Sequence, residues 1–230
     1  ISLELERVMW QSKVYLDGHE VSMGDALSTP HHHDLGFLTP GKHMLTLQIN
    51  NDLIYNIGDK GHVYTEYTQS IWNGVVGRVE LVARDVVRFS NPQVYTAIAP
   101  KTLQIKDSII NESGKNKQVK ITYLLTDRKS GLIIFEASDK IELKKGTTAL
   151  DYKANMPADL KLWDDVNPNL YNLEIRIKSK DNFHDSFKEE IGFREITTSK
   201  SKILINGKPV FFRGNLDCVH FPLTGYPSCD

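Results

Sequence analysis

The chain has 230 residues, with 28 Lys+Arg against 29 Asp+Glu and a formal net charge of -1. That balance excludes the basic surface that bulk nucleic-acid binding needs. No apolar run reaches the ~18 residues of a membrane-spanning helix. The hydrophobic fraction of 40% and charged fraction of 25% are those of an ordinary globular chain with core enough for one large or two modest domains.

The chain opens at Ile1-Ser2-Leu3-Glu4-Leu5, which reads as the middle of a strand, as if cut from a longer polypeptide. Val14-Tyr15-Leu16 then meets Asp17-Gly18 and turns into Glu20-Val21, a hairpin signature. Pro40-Gly41 punctuates the start of Leu45, Leu47 and Ile49, which alternate with polar residues. Trp72-Asn73-Gly74-Val75-Val76-Gly77-Arg78 runs into Val79, Leu81 and Ala83, again alternating. Its two glycines indicate a bulge or close backbone approach, because a phosphate-cradling loop would need a helix after it. Val119, Ile121, Tyr123 and Leu125, and later Tyr171, Leu173, Ile175 and Ile177, repeat the period of two. Asn206-Gly207 marks a last hairpin between Ile203-Leu204-Ile205 and Val210-Phe211-Phe212. No stretch carries a helical period, so the sequence predicts an all-β chain of sandwiches.

Several clusters suggest chemistry, each beside a plainer reading. His31-His32-His33-Asp34 puts two imidazoles on one face of a strand, which suits a metal ion, yet no carboxylate or cysteine completes a familiar spacing. A polar strand or loop is the expectation there. Asn111-Glu112-Ser113 is a glycosylation sequon and its Glu an acid by type, but a strand running into a polar turn explains both. Asp164-Asp165 beside Trp163 reads as a loop with local backbone bonds rather than a calcium or sugar site. Cys218 and Cys229 are the only cysteines, too few for a disulfide framework. There is no Gly-x-Ser-x-Gly and no paired-Cys zinc spacing, and no cofactor is expected.

Three motifs in order resemble one family. Trp72-Asn73-Gly74-Val75-Val76-Gly77-Arg78-Val79-Glu80-Leu81 is similar to the segment closing the sugar-binding jelly roll of family 2 glycoside hydrolases. Leu162-Trp163, Asn167-Pro168-Asn169-Leu170-Tyr171 and Gly192-Phe193-Arg194 resemble the signature ending that family's immunoglobulin-like domain. Leu204-Ile205-Asn206-Gly207-Lys208-Pro209 through Arg213-Gly214 is similar to the hairpin that leads into its catalytic β/α barrel. Val14-Tyr15-Leu16-Asp17-Gly18 and Pro40-Gly41-Lys42-His43 match its jelly-roll hairpin and strand start, with Asp17 where Asn is usual.

The resemblance implies a fold and a role. Residues 1–91 would be a partial jelly roll, 92–198 an immunoglobulin-like sandwich, and 199–230 the first hairpin of a barrel whose two catalytic glutamates lie outside this chain. The parent would be a retaining exo-β-glycosidase, exported to the periplasm or beyond, and the fragment inactive. The resemblance offers Asp217, with Asn215 behind it, as sugar-contacting residues, since the chain after Arg213-Gly214 borders the family's pocket. Trp72 adds an aromatic face for stacking on sugar. Expected partners are a carbohydrate, through the parent, and a second copy through exposed edges of the partial jelly roll; nucleic acid and membrane insertion are not expected. Two rival readings are a self-sufficient carbohydrate-binding module using Trp10, Tyr15, Tyr64, Tyr67 and Trp72, and an adhesion or spacer sandwich with no ligand.

Overall fold

The computed structural model describes residues 1–59, 73–180 and 182–214, and among them every regular element is a β-strand. They divide into two compact units, residues 1–83 and 84–213.

The first unit holds β1 (Ser2–Met9), β2 (Gln11–Leu16), β3 (His19–Gly24), β4 (His31–Asp34), β5 (Leu45–Asn50) and β6 (Gly74–Val82). They form two antiparallel sheets of three strands, ordered β4-β1-β6 and β3-β2-β5. Leu3, Leu5, Val8, Val14 and Leu35 make the core, and the alternating Leu45, Leu47 and Ile49 of β5 pack on it half-buried. The β2–β3 hairpin turns through Asp17 and Gly18, whose φ angles of 49° and 86° suit a tight primed turn. Asp17 at the position where the family pattern has Asn does more than turn the chain. Its Oδ1 accepts the Met44 backbone N–H at 2.8 Å and its Oδ2 meets His43 Nδ1 at 2.8 Å, which ties the hairpin to the start of β5.

Register slips between Leu5 and Arg7 of β1, opposite Gly77 in β6. Gly77 has φ 83°, a backbone conformation that favours glycine, and a Cβ there would displace the Glu6 carboxylate, whose Oε2 would lie 2.6 Å away. Glu6 Oε2 accepts the Arg78 backbone N–H at 2.8 Å, which seals the bulge.

The second unit holds β7 (Val87–Arg88), β8 (Gln93–Ile98), β9 (Lys101–Asn111), β10 (Lys117–Asp127), β11 (Ile133–Leu143), β12 (Gly146–Asn155), β13 (Tyr171–Lys178), β14 (Phe183–Ile191), β15 (Ile196–Ser199), β16 (Lys202–Ile205) and β17 (Lys208–Val210). One sheet runs β11-β10-β13-β14; the facing one runs β12-β9-β7, with β8 also on β9. Ile121 lies opposite Ile177, Tyr123 opposite Ile175 and Leu125 opposite Leu173, so the two alternating runs of β10 and β13 present one continuous apolar face. That face and Leu103, Ile105 and Ile109 of β9 enclose a single sandwich core. Each such side chain contributes about 1.5–3 kcal/mol by leaving water. The polar run Thr197–Ser199 with Ile196 forms β15 and pairs with β16 in a three-stranded sheet completed by β17.

Candidate functional site

Trp72, Asn215 and Asp217 lie outside the described residues, as do Tyr64, Tyr67 and both cysteines. What the structure does show is the frame that leads up to residue 214. It is built where the second and third sequence motifs meet.

Trp163 follows a strandless stretch and is pinned by its backbone, its N–H donating to Phe193 O at 2.9 Å, with an isolated bridge to Pro168. Asp164 holds the loop after it: Oδ1 accepts the N–H groups of Asn167 at 2.6 Å and Val166 at 3.0 Å. The Asn167 N–H bond, foremost, holds the Asp164 carboxyl below the usual range. Asp164-Asp165 thus close a local loop, as expected of Asp and Asn in a turn.

Gly192, Phe193 and Arg194 then cross Trp163. A Cβ on Gly192 would lie 3.1 Å from Trp163 Cβ, so the indole occupies the space that a side chain there would take. Phe193 is wholly buried, edge-on to Tyr171 at 5.8 Å. The Arg194 guanidinium lies 4.8 Å over the indole centroid. Asn206, in the β16–β17 turn at φ 50°, closes the arrangement. Its Nδ2 donates to Trp163 O at 2.9 Å, its Oδ1 accepts the Glu195 N–H at 2.9 Å, and its own N–H donates to Glu195 O at 2.9 Å. The Leu-Trp, Gly-Phe-Arg and Asn-Gly motifs are therefore one junction that fixes the hairpin running to Gly214. It can orient the chain; it offers no acid, base or nucleophile.

The other sequence candidates resolve into structure. His31 and His33 both point inward from β4 and are buried. His31 Nε2 lies 2.8 Å from Ala26 O, which can only accept, so that nitrogen carries the hydrogen. His31 Nδ1 then accepts from the Ser12 hydroxyl at 2.6 Å, Ser12 Oγ accepts from His33 Nε2 at 2.9 Å, and His33 Nδ1 accepts from Ser22 at 2.9 Å. With both rings neutral, every ring nitrogen and hydroxyl in this relay is satisfied, which leaves no lone pair for a metal. Burial pushes the His33 pKa down. Among the described residues no group of three metal-ligating side chains occurs.

Asn111 is buried at the end of β9, and the amide nitrogen that would carry a glycan donates to the carbonyls of Lys115, Lys144 and Leu143 at 2.9, 3.1 and 3.3 Å. The sequon is closed in the folded chain. Trp10, offered as an exposed stacking aromatic, is wholly buried, its ring 5.9 Å from that of Tyr55. Sequence could not tell a core indole from a surface one. Tyr15 is half-buried and its hydroxyl donates to Gln48 Oε1 at 3.1 Å.

Comparison with known proteins adds a family. Residues 87–194 match the model for glycosyl hydrolases family 2. The chain is 26% identical to a beta-galactosidase of Thermoanaerobacterium thermosulfurigenes, an alignment covering 98% of this chain and 32% of that protein. A shorter stretch, 20% of this chain, is 40% identical to part of the beta-glucuronidase of Mus musculus, 7% of that protein's length. Among solved structures, a Bacteroides uniformis beta-glucuronidase superposes with a TM-score of 0.78 at 20% identity, over 93% of this chain and 26% of that one. A Parabacteroides merdae beta-glucuronidase gives 0.73 at 21% identity, covering 93% and 28%. At these identities the superpositions establish a common fold. The chain spans about a third of the length of the beta-galactosidase it matches along nearly its whole extent.

Proposed function

The chain belongs to the family 2 glycosyl hydrolases, and from that premise we propose that it is the accessory, non-catalytic sandwich region of a retaining exo-β-glycosidase. In this reading residues 1–83 are part of a jelly roll and 199–230 the hairpin that opens the catalytic barrel, while the immunoglobulin-like domain runs to 198 and starts at 84 rather than 92, because β7 pairs with β9. The observation that carries it is the junction of Trp163, Gly192–Arg194 and Asn206, which joins the end of a sandwich to a hairpin leaving it. The order of motifs and the one-third coverage of the beta-galactosidase support the same placement.

The chemistry of the parent would be double displacement between two carboxyl groups about 5–5.5 Å apart, one acting as nucleophile and the other as acid and then base. Neither is assigned to this chain. Its contribution would be to set the approach of residues 215–217 to the sugar, with Asn215 and Asp217 accepting or donating hydrogen bonds to hydroxyls at the pocket rim. The related beta-galactosidases and beta-glucuronidases support a β-linked glycoside as substrate, and the likeness to Bacteroides and Parabacteroides enzymes supports a bacterial parent.

The test is direct. The 230-residue chain, offered chromogenic β-galactoside and β-glucuronide, is expected to release no chromophore above buffer. Turnover that co-purifies with the chain would overturn the accessory role. The carbohydrate-module reading is weakened by the burial of Trp10. It would regain ground only from saturable binding to an oligosaccharide panel that is lost in Trp72→Ala.

A further inference from the structure

Three side chains far apart in the sequence meet inside the second unit. His184, in β14, is buried, and both its ring nitrogens are engaged. Nδ1 lies 3.1 Å from Oδ1 of Asp85, just ahead of β7, and Nε2 lies 2.8 Å from Oγ of Ser179, just after β13. A carboxylate only accepts, so Nδ1 carries the hydrogen of the neutral ring and Nε2 presents its lone pair. The Ser179 hydroxyl therefore donates to Nε2. Asp85 is itself held in place, because its Oδ1 also accepts the Val87 backbone N–H at 2.8 Å.

This chain of contacts is the one that activates a serine: hydroxyl on base, and base fixed in the productive tautomer by a third group. Such a set is recognised by geometry and role, not by order along the chain. The first unit supplies a contrast. Ser12 also donates to a histidine, His31, but that ring is oriented by the Ala26 carbonyl and Ser12 is wholly buried, so no ligand reaches its hydroxyl. Ser179 is half-buried and its base is oriented by a carboxylate. A clasp tying the stretch before β7 to β13 and β14 would use the same three side chains but would ask nothing of the hydroxyl's reactivity.

We propose that Ser179, His184 and Asp85 form an acyl-accepting site for ester substrates, with Ser179 the nucleophile, His184 its general base and Asp85 the positioning residue. Ser179 Oγ attacks the ester carbonyl carbon while its proton passes to His184 Nε2. The bond from that carbon to the leaving oxygen then breaks, and the leaving oxygen takes the proton from Nε2. The products are acyl-Ser179, a neutral imidazole and the free alcohol. The Ser179 N–H is spent on Asn182 O at 2.9 Å, so it does not serve the developing oxyanion. The site therefore suits an activated ester with a good leaving group. This inference goes beyond the glycosidase reading and does not depend on it, since it uses only residues of the second unit.

The 230-residue chain, treated with p-nitrophenyl acetate and digested for mass spectrometry, is expected to carry an acetyl group on Ser179. Neutral hydroxylamine should remove it, as it removes esters but not the amides formed on lysines. Within the wild-type chain Ser179 should react at least about a hundredfold faster than the exposed Ser186. Asp85→Asn keeps an oxygen for the Val87 N–H but turns an amide N–H toward Nδ1, which moves the ring hydrogen to Nε2 and removes the base. Acetylation of Ser179 should then fall about a hundredfold, while the lysines react at the wild-type rate and the circular dichroism spectrum is unchanged. A wild-type chain whose Ser179 is unmodified, or is acetylated no faster than Ser186, would overturn the proposal. So would labelling of Ser179 that Asp85→Asn leaves at the wild-type rate, which would reduce the three side chains to a clasp.

Discussion

His43 and Asp17 form an exposed pair whose pKa values move apart. The hydrogen bond to Asp17 raises the His43 pKa, and the hydrogen bond from His43 lowers that of Asp17. A raised histidine stabilises the fold fully below its ordinary pKa of about 6.5 and loses that contribution as pH climbs through the folded value. A lowered aspartate contributes fully above about 3.9 and loses it as pH falls. The pair's joint contribution is therefore complete from about pH 4 to 6.5. His33 runs the other way: burial lowers its pKa, so its neutral form stabilises at high pH and the contribution drains away as pH falls below its ordinary value. Melting temperature measured against pH should show the consequence. His43→Gln should lower stability on the acid side of neutrality more than at about pH 8, and an equal loss at both would mean the pair is not ionic. A second single-residue test lies in the other unit. Tyr123 is wholly buried, stacked on Tyr152 at 3.7 Å, and its hydroxyl has no hydrogen-bond partner among the described residues. Tyr123→Phe should then be neutral or stabilising by up to about 1 kcal/mol in urea unfolding, whereas a paired hydroxyl would make it destabilising by a similar amount. None of this was legible in the sequence. Ser12, Ser22 and Ala26 reach the histidines only once β2, β3 and β4 are side by side, and a strand alternation says which residues turn inward without naming their partners.

Elements were more legible, because their signals are local. The Asp17-Gly18 and Asn206-Gly207 turns follow from residues that tolerate positive φ, and β10 and β13 from a period of two imposed by one buried face. The exception is β6, whose alternation is correct in phase but whose Val79 and Leu81 are exposed. Period alone cannot report whether a second layer covers the face it defines. The junction is the element-scale feature that sequence marked only through resemblance: Asn206 and Trp163 are 43 residues apart, and their hydrogen bond has no local signature. It predicts two mutational outcomes. Asn206→Ala removes two side-chain hydrogen bonds and places a Cβ residue of poor αL tolerance at φ 50°, which should cost about 2–3 kcal/mol. Gly192→Ala must push the Trp163 ring by a few tenths of an ångström, costing about 1–3 kcal/mol. Tryptophan fluorescence during urea unfolding should follow both. A Gly192→Ala chain with wild-type emission and midpoint would mean the indole can yield freely, and the junction is looser than its contacts imply.

At the scale of the molecule the two units differ most in core. Among the described residues nineteen form the buried cluster of the second, from Val87 to Phe193, against five in the first: Leu3, Leu5, Val8, Val14 and Leu35. Stability scales with the apolar surface buried. The strands of the first unit should therefore open at lower free energy than those of the sandwich after it. Hydrogen exchange of the full chain is expected to show β10 and β13 protected longest, with β1, β2 and β6 exchanging first, and calorimetry to resolve a lower transition for residues 1–83. A single transition with uniform exchange would mean that the two units unfold as one, and that the thin core of the first is carried by the second.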